Sequence, residues 1–288
     1  MLIGVFDGVH RGHQALLAQA RGVVGSGGRV IAVTFNPHPA AVLVPGREPL
    51  LLLPLDERVA LLGEHGADEV LITNFTSELA LWSPEQFVDE VLMPTQPTDI
   101  CVGENFRFGH RASGDCQTLA DLGESRGFVV HVVPLAADAH MAWSSTRIRS
   151  LVLAGDMAAA AEILGRPHRL VGPVVHGDAR GRQLGFPTAN IKVADSYAIP
   201  ADGVYAGFLT TTGQKFRAAI SIGTNPQFAG YERRVEVFAM DAPQEFDIYD
   251  CMTTVEFTSR VRGQEVFATL DEFIAQMHRD ISHIRGLT

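Results

Sequence analysis

The pattern of this chain changes near residue 165, and the two patterns demand different folds. Before the change, short apolar runs at 1–6, 29–35 (RVIAVTF), 69–74 (EVLITN), 98–102 (TDICV) and 128–133 (FVVHVV) alternate with helical stretches. The helical stretches lie near 12–24, 56–65, 84–92, 116–125 and 146–164. Runs this short and apolar are the mark of strands buried on both faces. Asp56 ahead of ERVALLGEH and Ser83-Pro84 ahead of EQFVDEVL are helix-start signals. Such a βαβ series predicts a parallel sheet with helices on both faces over 1–165. After the Gly/Pro-punctuated connection GRPHRLVGPVVHG, strand signals dominate at 171–176, 203–211, 215–222, 233–240 and 252–260, with a turn at Thr212-Gly213. Leu270, Phe273, Ile274, Met277, Ile281 and Ile284 then recur at helical spacing. A small β-barrel or sandwich with one packed C-terminal helix is expected over 166–288.

Composition narrows the function. With 288 residues, 46% of them hydrophobic, the chain can fill two cores. A net charge of −10 argues against a general nucleic-acid binder, so any phosphate site must be local. Lys192 and Lys215 are the only lysines, and neither sits in GxxxxGK[ST], which excludes a P-loop. Cys101, Cys116 and Cys251 form no CxxC pair, so neither a disulfide framework nor a zinc site is expected. No apolar run is long enough to span a membrane and no leader opens the chain, so a soluble cytoplasmic protein is expected, as a monomer or weak homo-oligomer.

The stretch 4-GVFDGVHRGH-13 reads as strand, tight turn and helix start. A helix N-terminus offers unpaired N–H groups and a positive dipole end to phosphate. Gly4, Gly8 and Gly12 permit close backbone approach. His10 and His13, three apart, project to one side and could donate to phosphate oxygens as charge builds on a leaving pyrophosphate. A metal pair and incidental surface histidines are the competing readings. Three further segments follow strands, where doubly wound folds bind ligands. They are 36-NPHP-39, 103-GENFRFG-109 with Arg107, and 144-SSTRIR-149. In the last, Ser145 and Thr146 look like helix caps, and Arg147 is placed for phosphate contact.

The second half carries 177-GDARGRQLGFPTAN-190. Gly177, Gly181 and Gly185 fall four apart, which suits a loop lying on a ligand. Thr188 and Asn190 share one side of an extended segment, and their oxygens suit Mg²⁺ carrying ATP phosphates; a polar strand edge is the alternative. In 233-RRVEVF-238, Val235 and Val237 share one face while Arg234, Glu236 and Phe238 share the other. Glu236 could be a general base toward a hydroxyl or a solvated strand residue.

Taken together, GVFDGVHRGH, TFNPHP, VGENFRFG and SSTRIR resemble the adenylyltransferase module of bacterial bifunctional riboflavin kinase/FAD synthetases, over nearly all of 1–165. GPVVHG, GRQLGFPTAN, PADGVY and IGTNP resemble the riboflavin kinase module of the same proteins, over about 169–288. The resemblance implies a Rossmann-like nucleotidyltransferase domain followed by a six-stranded barrel. It implies transfer of AMP from ATP to FMN by the first and phosphorylation of riboflavin by the second, with Mg²⁺ accompanying ATP and flavins as substrate and product. It places His10 and His13 at the ATP phosphates, and Ser145, Thr146 and Arg147 at phosphate and ribose. Gly4, Phe6, Asp7, Gly8, Asn36, Asn105 and Asp115 are implied for the same nucleotide site. Gly177, Gly181, Arg182, Gly185, Phe186 and Pro187 are implied for the second nucleotide site. Thr188 and Asn190 are implied for Mg-ATP, and Glu236 for deprotonating the ribityl 5′-hydroxyl.

The chain departs from the family pattern in three places. Little precedes the first strand, which implies either a misassigned start or a poorly anchored strand. Gln227 stands where threonine is expected, and Asp250 where a glycine turn is expected. Two other functions fit parts of the sequence: a nucleotidyltransferase for another phosphorylated acceptor, and a degenerate paralogue that binds flavin without turnover.

Overall fold

The computed structural model describes residues 1–135, 137, 141–177, 185–224, 233–243 and 246–287. By internal packing the chain divides into two units, Met1–Ser145 and Thr146–Thr288. The division falls ahead of the change in sequence pattern near 165.

The first unit is built on five parallel strands: β1 (Leu2–Ile3), β2 (Ile31–Asn36), β3 (Glu69–Asn74), β4 (Asp99–Gly103) and β5 (Val129–Val133). They lie in the order β3-β2-β1-β4-β5. The order reverses between β1 and β4, which makes that crevice the switch point of a doubly wound sheet. The expected first strand of six residues is two long, but it is central. It pairs with β2 and β4, and the Met1 amine donates to Asp99 O at 2.7 Å. Leu2, Ile3, Val33, Ile100 and Val102 are all at most 2% exposed. Each such side chain contributes about 1.5–3 kcal/mol of apolar burial.

Helices cover both faces. On one lie α1 (Arg11–Val24), whose Leu16, Leu17 and Ala20 are buried, and α3 (Leu55–Glu64), with Leu61 and Leu62. On the other lie Phe87, Val88 and Leu92 and the Leu119 face of α5 (Cys116–Arg126). A short α2 (Pro39–Leu43) follows NPHP, with His38 as its cap. The expected helix 84–92 is regular only over α4 (Pro84–Phe87), and the chain passes into a π turn over Val88–Leu92.

The expected helix 146–164 is two helices, α6 (Ser145–Ala154) and α7 (Met157–Leu164). Gly155, at φ +81°, breaks the helix, and the Asp156 carboxylate restarts it by accepting from Ala159 N–H at 3.1 Å.

Among its described residues the second unit contains six strands: β6 (His168–Val175), β7 (Ala189–Ile191), β8 (Gly203–Thr211), β9 (Gln214–Thr224), β10 (Arg233–Ala239) and β11 (Met252–Arg262). They close a barrel in the order β10-β7-β6-β11-β8-β9, which leaves no open edge. Thr212 and Gly213 both take positive φ, +48° and +77°, as a two-residue type I′ hairpin requires. Tyr205 and Phe257, both fully buried, meet edge to face in the core. The C-terminal helix α8 spans Leu270–Leu287.

Candidate active sites

The carboxyl ends of the parallel strands share one edge of the sheet, and the GVFDGVH turn leaves it at the switch point. Val9 N–H donates to Phe6 O at 3.0 Å across this turn, and Gly8 takes φ +83°. Phe6 and Val9 are also left-handed, at φ +53° and +39°. Each costs about 1–2 kcal/mol, which packing of both side chains must offset. Of the motif glycines, Gly8 alone has positive φ. Gly4 serves packing instead, because a Cβ there would come within 2.9 Å of the Phe6 ring.

His10 caps α1, with Nδ1 accepting from Gly12 N–H at 3.1 Å. An accepting Nδ1 carries no proton, so the ring proton resides on Nε2. His13 stacks on His10 with ring centroids 3.6 Å apart and meets Phe6 edge-on at 5.2 Å. Burial, and then the adjoining His10, push His13 well below the usual imidazole value, so it is neutral at pH 7. Its Nδ1 is buried and has no hydrogen-bond partner among the described residues.

Asp7 is turned inward. Its two carboxylate oxygens accept from Leu52 N–H at 3.0 and 3.1 Å, and its carbonyl accepts from Ser145 Oγ at 2.8 Å. Ser145 therefore does not act as the expected cap of α6. It is the first residue of α6, and its hydroxyl is spent on the Asp7 carbonyl. Asn36, which ends β2 and precedes a cis peptide bond to Pro37, and Asn105, just after β4, are exposed. Asp115 caps α5, accepting from Thr118 N–H at 2.9 Å and from its hydroxyl at 3.0 Å, bonds that hold its carboxyl below the usual range. Thr146 and Arg147 lie in the first turn of α6, the first exposed and the second half-buried.

In the second unit, Thr188, Ser221, Glu236, Arg262 and Asp280 line one cavity, with about 880 Å³ of space including its open mouth. Glu236 lies opposite Asn190 on β7 and Ser221 on β9. Its neighbours Val235 and Val237, 4% and 1% exposed, fill the barrel core instead. Gly177 makes room for Asn190, since a Cβ there would overlap the Asn190 amide nitrogen. Gly172 admits β7 in the same way, because a Cβ would overlap Lys192 O. Asn190 Oδ1 is buried without a hydrogen-bond partner among the described residues. An orphaned amide oxygen two residues along the chain from a threonine is a donor set that fits a hard cation.

Phe186 is 5% exposed, with its ring edge-on to Phe238 at 5.8 Å and His278 at 5.0 Å. It anchors the segment to the barrel wall and α8. Gly185, at φ +84°, and Pro187 are exposed beside it. Gly181, Arg182 and Gln227 lie outside the described residues. Asp250 occupies the left-handed region at φ +61°, the conformation a glycine would take without cost.

Sequence reasoning missed the far wall of this cavity. Arg262 donates to Asp280 from Nη2 at 2.8 Å and from Nε at 3.0 Å, and Gln276 donates to Asp280 at 2.7 Å. Asp280 is a carboxylate inside the apolar stripe of α8, three residues after Met277, and that interruption was a readable signal. Arg58, 5% exposed on α3, was missed as well.

Comparison with known proteins agrees with both halves. A family model described as FAD synthetase matches residues 1–147, and one described as riboflavin kinase matches 164–288. The bifunctional riboflavin kinase/FMN adenylyltransferase of Listeria monocytogenes is 35% identical, over 99% of this chain and 91% of its own length. Those of Bacillus subtilis and Escherichia coli K12 are 33% and 34% identical, each over 97% of this chain, and over 89% and 90% of their own lengths. A crystal structure described as a macrolide-efflux protein from Streptococcus pneumoniae has a TM-score of 0.89 and 33% identity, covering 99% of this chain and 93% of that one. Among the described residues no helix is long and apolar enough to cross a membrane. With both family models matched in order and relatives similar over nearly the whole length, the chain belongs to the bifunctional riboflavin kinase/FMN adenylyltransferase family.

Proposed function

We propose that this chain converts riboflavin to FMN in its second unit and FMN to FAD in its first, using ATP in both steps. The observation that carries the reading is the pairing of two constellations in one chain. One is the His10–His13 stack at the start of α1; the other is Glu236 and Thr188 in the barrel cavity, with Asn190 opposite Glu236 on the neighbouring strand. In the adenylyl transfer, an FMN phosphate oxygen attacks the α-phosphorus of ATP and the bond to pyrophosphate breaks. His10, with its proton on Nε2, and the neutral His13 supply N–H donors as charge grows on the departing pyrophosphate. Ser145 and Asp7 hold the turn on which those donors depend; Arg147, two residues on in SSTRIR, is the cation that the family resemblance implies for phosphate.

In the phosphorylation, Glu236 takes the proton of the ribityl 5′-hydroxyl as that oxygen attacks the γ-phosphorus of ATP and ADP leaves. Thr188 and Asn190 would hold Mg²⁺, which when bound neutralises phosphate charge. Phe238 of the barrel wall, Phe273 of α8 and Phe267 just before that helix provide the apolar surface that a flavin ring system requires.

The test is a product analysis with riboflavin, ATP and Mg²⁺ that resolves FMN from FAD over time. His10→Ala should stop FAD formation by about a hundredfold or more and leave FMN formation intact. Glu236→Ala should stop FMN formation and leave added FMN convertible to FAD. Neither product from the unaltered chain would refute the proposal. Tight flavin binding without turnover would favour the degenerate paralogue instead.

A further inference from the structure

We propose that Arg58 is a positioning residue for adenylyl transfer, acting through the peptide that opens the phosphate-binding turn. The inference rests on the adenylyl-transfer reading above. Arg58 sits on α3, far in sequence from every motif of the site, and is 5% exposed. Its Nη1 donates to Val5 O at 2.8 Å and its Nη2 to Phe35 O at 3.2 Å. Val5 is the residue before the left-handed Phe6, and Phe35 precedes Asn36 of NPHP. One guanidinium thus fastens two chain exits at the carboxyl edge of the sheet. The Val5 carbonyl also accepts from Thr34 Oγ1 at 2.9 Å, and Thr34 is fully buried.

A peptide group is planar and trans, so fixing a carbonyl on one side fixes the following N–H on the other. The two donors hold the Val5 carbonyl inward, against Arg58 and Thr34, and the Phe6 N–H must then face away from them. Without these donors, the same peptide could rotate, Phe6 could leave its strained conformation, and the carbonyl could turn toward the phosphates. A left-handed non-glycine residue persists only where its surroundings over-determine it. Here a charge-assisted bond does so, from a side chain that is always ionised. Lysine at 58 could replace one of the two bonds, because an ammonium lacks the fork that spans two carbonyls. Methionine would keep the apolar stem and lose both.

The experiment uses the full chain with Arg58→Met, Arg58→Lys and Thr34→Val. Three quantities are read: FAD formation from FMN, FMN formation from riboflavin, and amide hydrogen exchange over residues 5–10. Arg58→Met should lower kcat for FAD formation about tenfold or more, with KM for ATP moving less than about threefold, because misplaced donors fail the transition state first. Arg58→Lys should recover part of that loss, and Thr34→Val should cost about threefold. Exchange over residues 5–10 should rise about tenfold in Arg58→Met, and FMN formation should stay within about twofold of the unaltered chain. Wild-type kcat in Arg58→Met, or equal losses in Arg58→Met and Arg58→Lys, would overturn the positioning role. Joint loss of both activities in Arg58→Met would signal misfolding. Arg58→Lys and Thr34→Val then decide, and unchanged kcat in both overturns the proposal. No FAD from the unaltered chain would refute the adenylyl-transfer reading instead. Exchange in Arg58→Lys and Thr34→Val would then settle the role of Arg58: faster exchange sustains it and unchanged exchange ends it.

Discussion

Gly177 acts through what it lacks. The Asn190 amide occupies the volume that a side chain at 177 would need. Backbone conformation is not the reason for this glycine, since its φ is not among the positive ones. Asn190 Oδ1, opposite Glu236, is buried without a hydrogen-bond partner among the described residues, so any shift of that amide moves an atom well suited to a cation. Gly177→Ala should therefore lower riboflavin phosphorylation about tenfold to a hundredfold, the scale at which an ångström of misplacement acts. Conversion of added FMN to FAD should be unchanged. Paired rate measurements on one preparation check this, and equal loss of both activities would show general unfolding instead. The histidines differ in kind. His10 and His13 were legible because a spacing of three at a helix start has a chemical meaning. Their stacking, and the loss of charge from His13, were not legible, because both depend on Phe6 and on burial.

At the level of elements, the break between α6 and α7 is the feature most exposed to a single change. A Cβ at Gly155 would lie 2.7 Å from the Tyr205 hydroxyl, and its φ of +81° disfavours any other residue. Tyr205 is fully buried and donates to Ala201 O at 2.5 Å, so it cannot easily move aside. Gly155→Ala should destabilise the second unit by about 2–5 kcal/mol, summing backbone strain and overpacking. Urea unfolding followed by loss of kinase activity measures this. The sequence pattern predicts one helix over 146–164, and a lone glycine, costing only about 1 kcal/mol, does not by itself mark a break. Thr212-Gly213 was legible for the opposite reason: a two-residue turn between strand runs has few solutions. Arg58 was illegible because its carbonyl partners lie 53 and 23 residues away. Nothing local distinguishes it from a solvated arginine on a helix. The strand series and the barrel were legible as patterns, whereas the inward turn of Asp7 and the Ser145 bond, 138 residues apart, are tertiary facts.

Across the whole molecule, buried histidines set how the fold responds to acid. His168 is 2% exposed, and its Nε2–H donates to Ala198 O at 3.1 Å, since a carbonyl can only accept. Burial lowers its pKa from 6.5 to about 4. In the first unit His13 shifts in the same direction. A histidine whose folded value is depressed binds its proton more readily when unfolded, so stability rises with pH across the gap between the two values. The barrel should therefore keep its full stability above about pH 6.5 and lose up to about 3 kcal/mol as pH falls to 4. The shifted carboxylates Asp99, Asp89, Asp68 and Asp115 work in a different window. Their folded values lie below 3.8, so the stability they contribute is lost only as pH falls past that point. The two windows separate the causes. Between pH 6.5 and 4, melting of the barrel, followed through kinase activity, should shift downward in the unaltered chain. In His168→Gln, which keeps an N–H donor for Ala198 O and cannot be protonated, the same shift should be much smaller. A slope that survives the substitution intact would assign the acid response to groups other than His168.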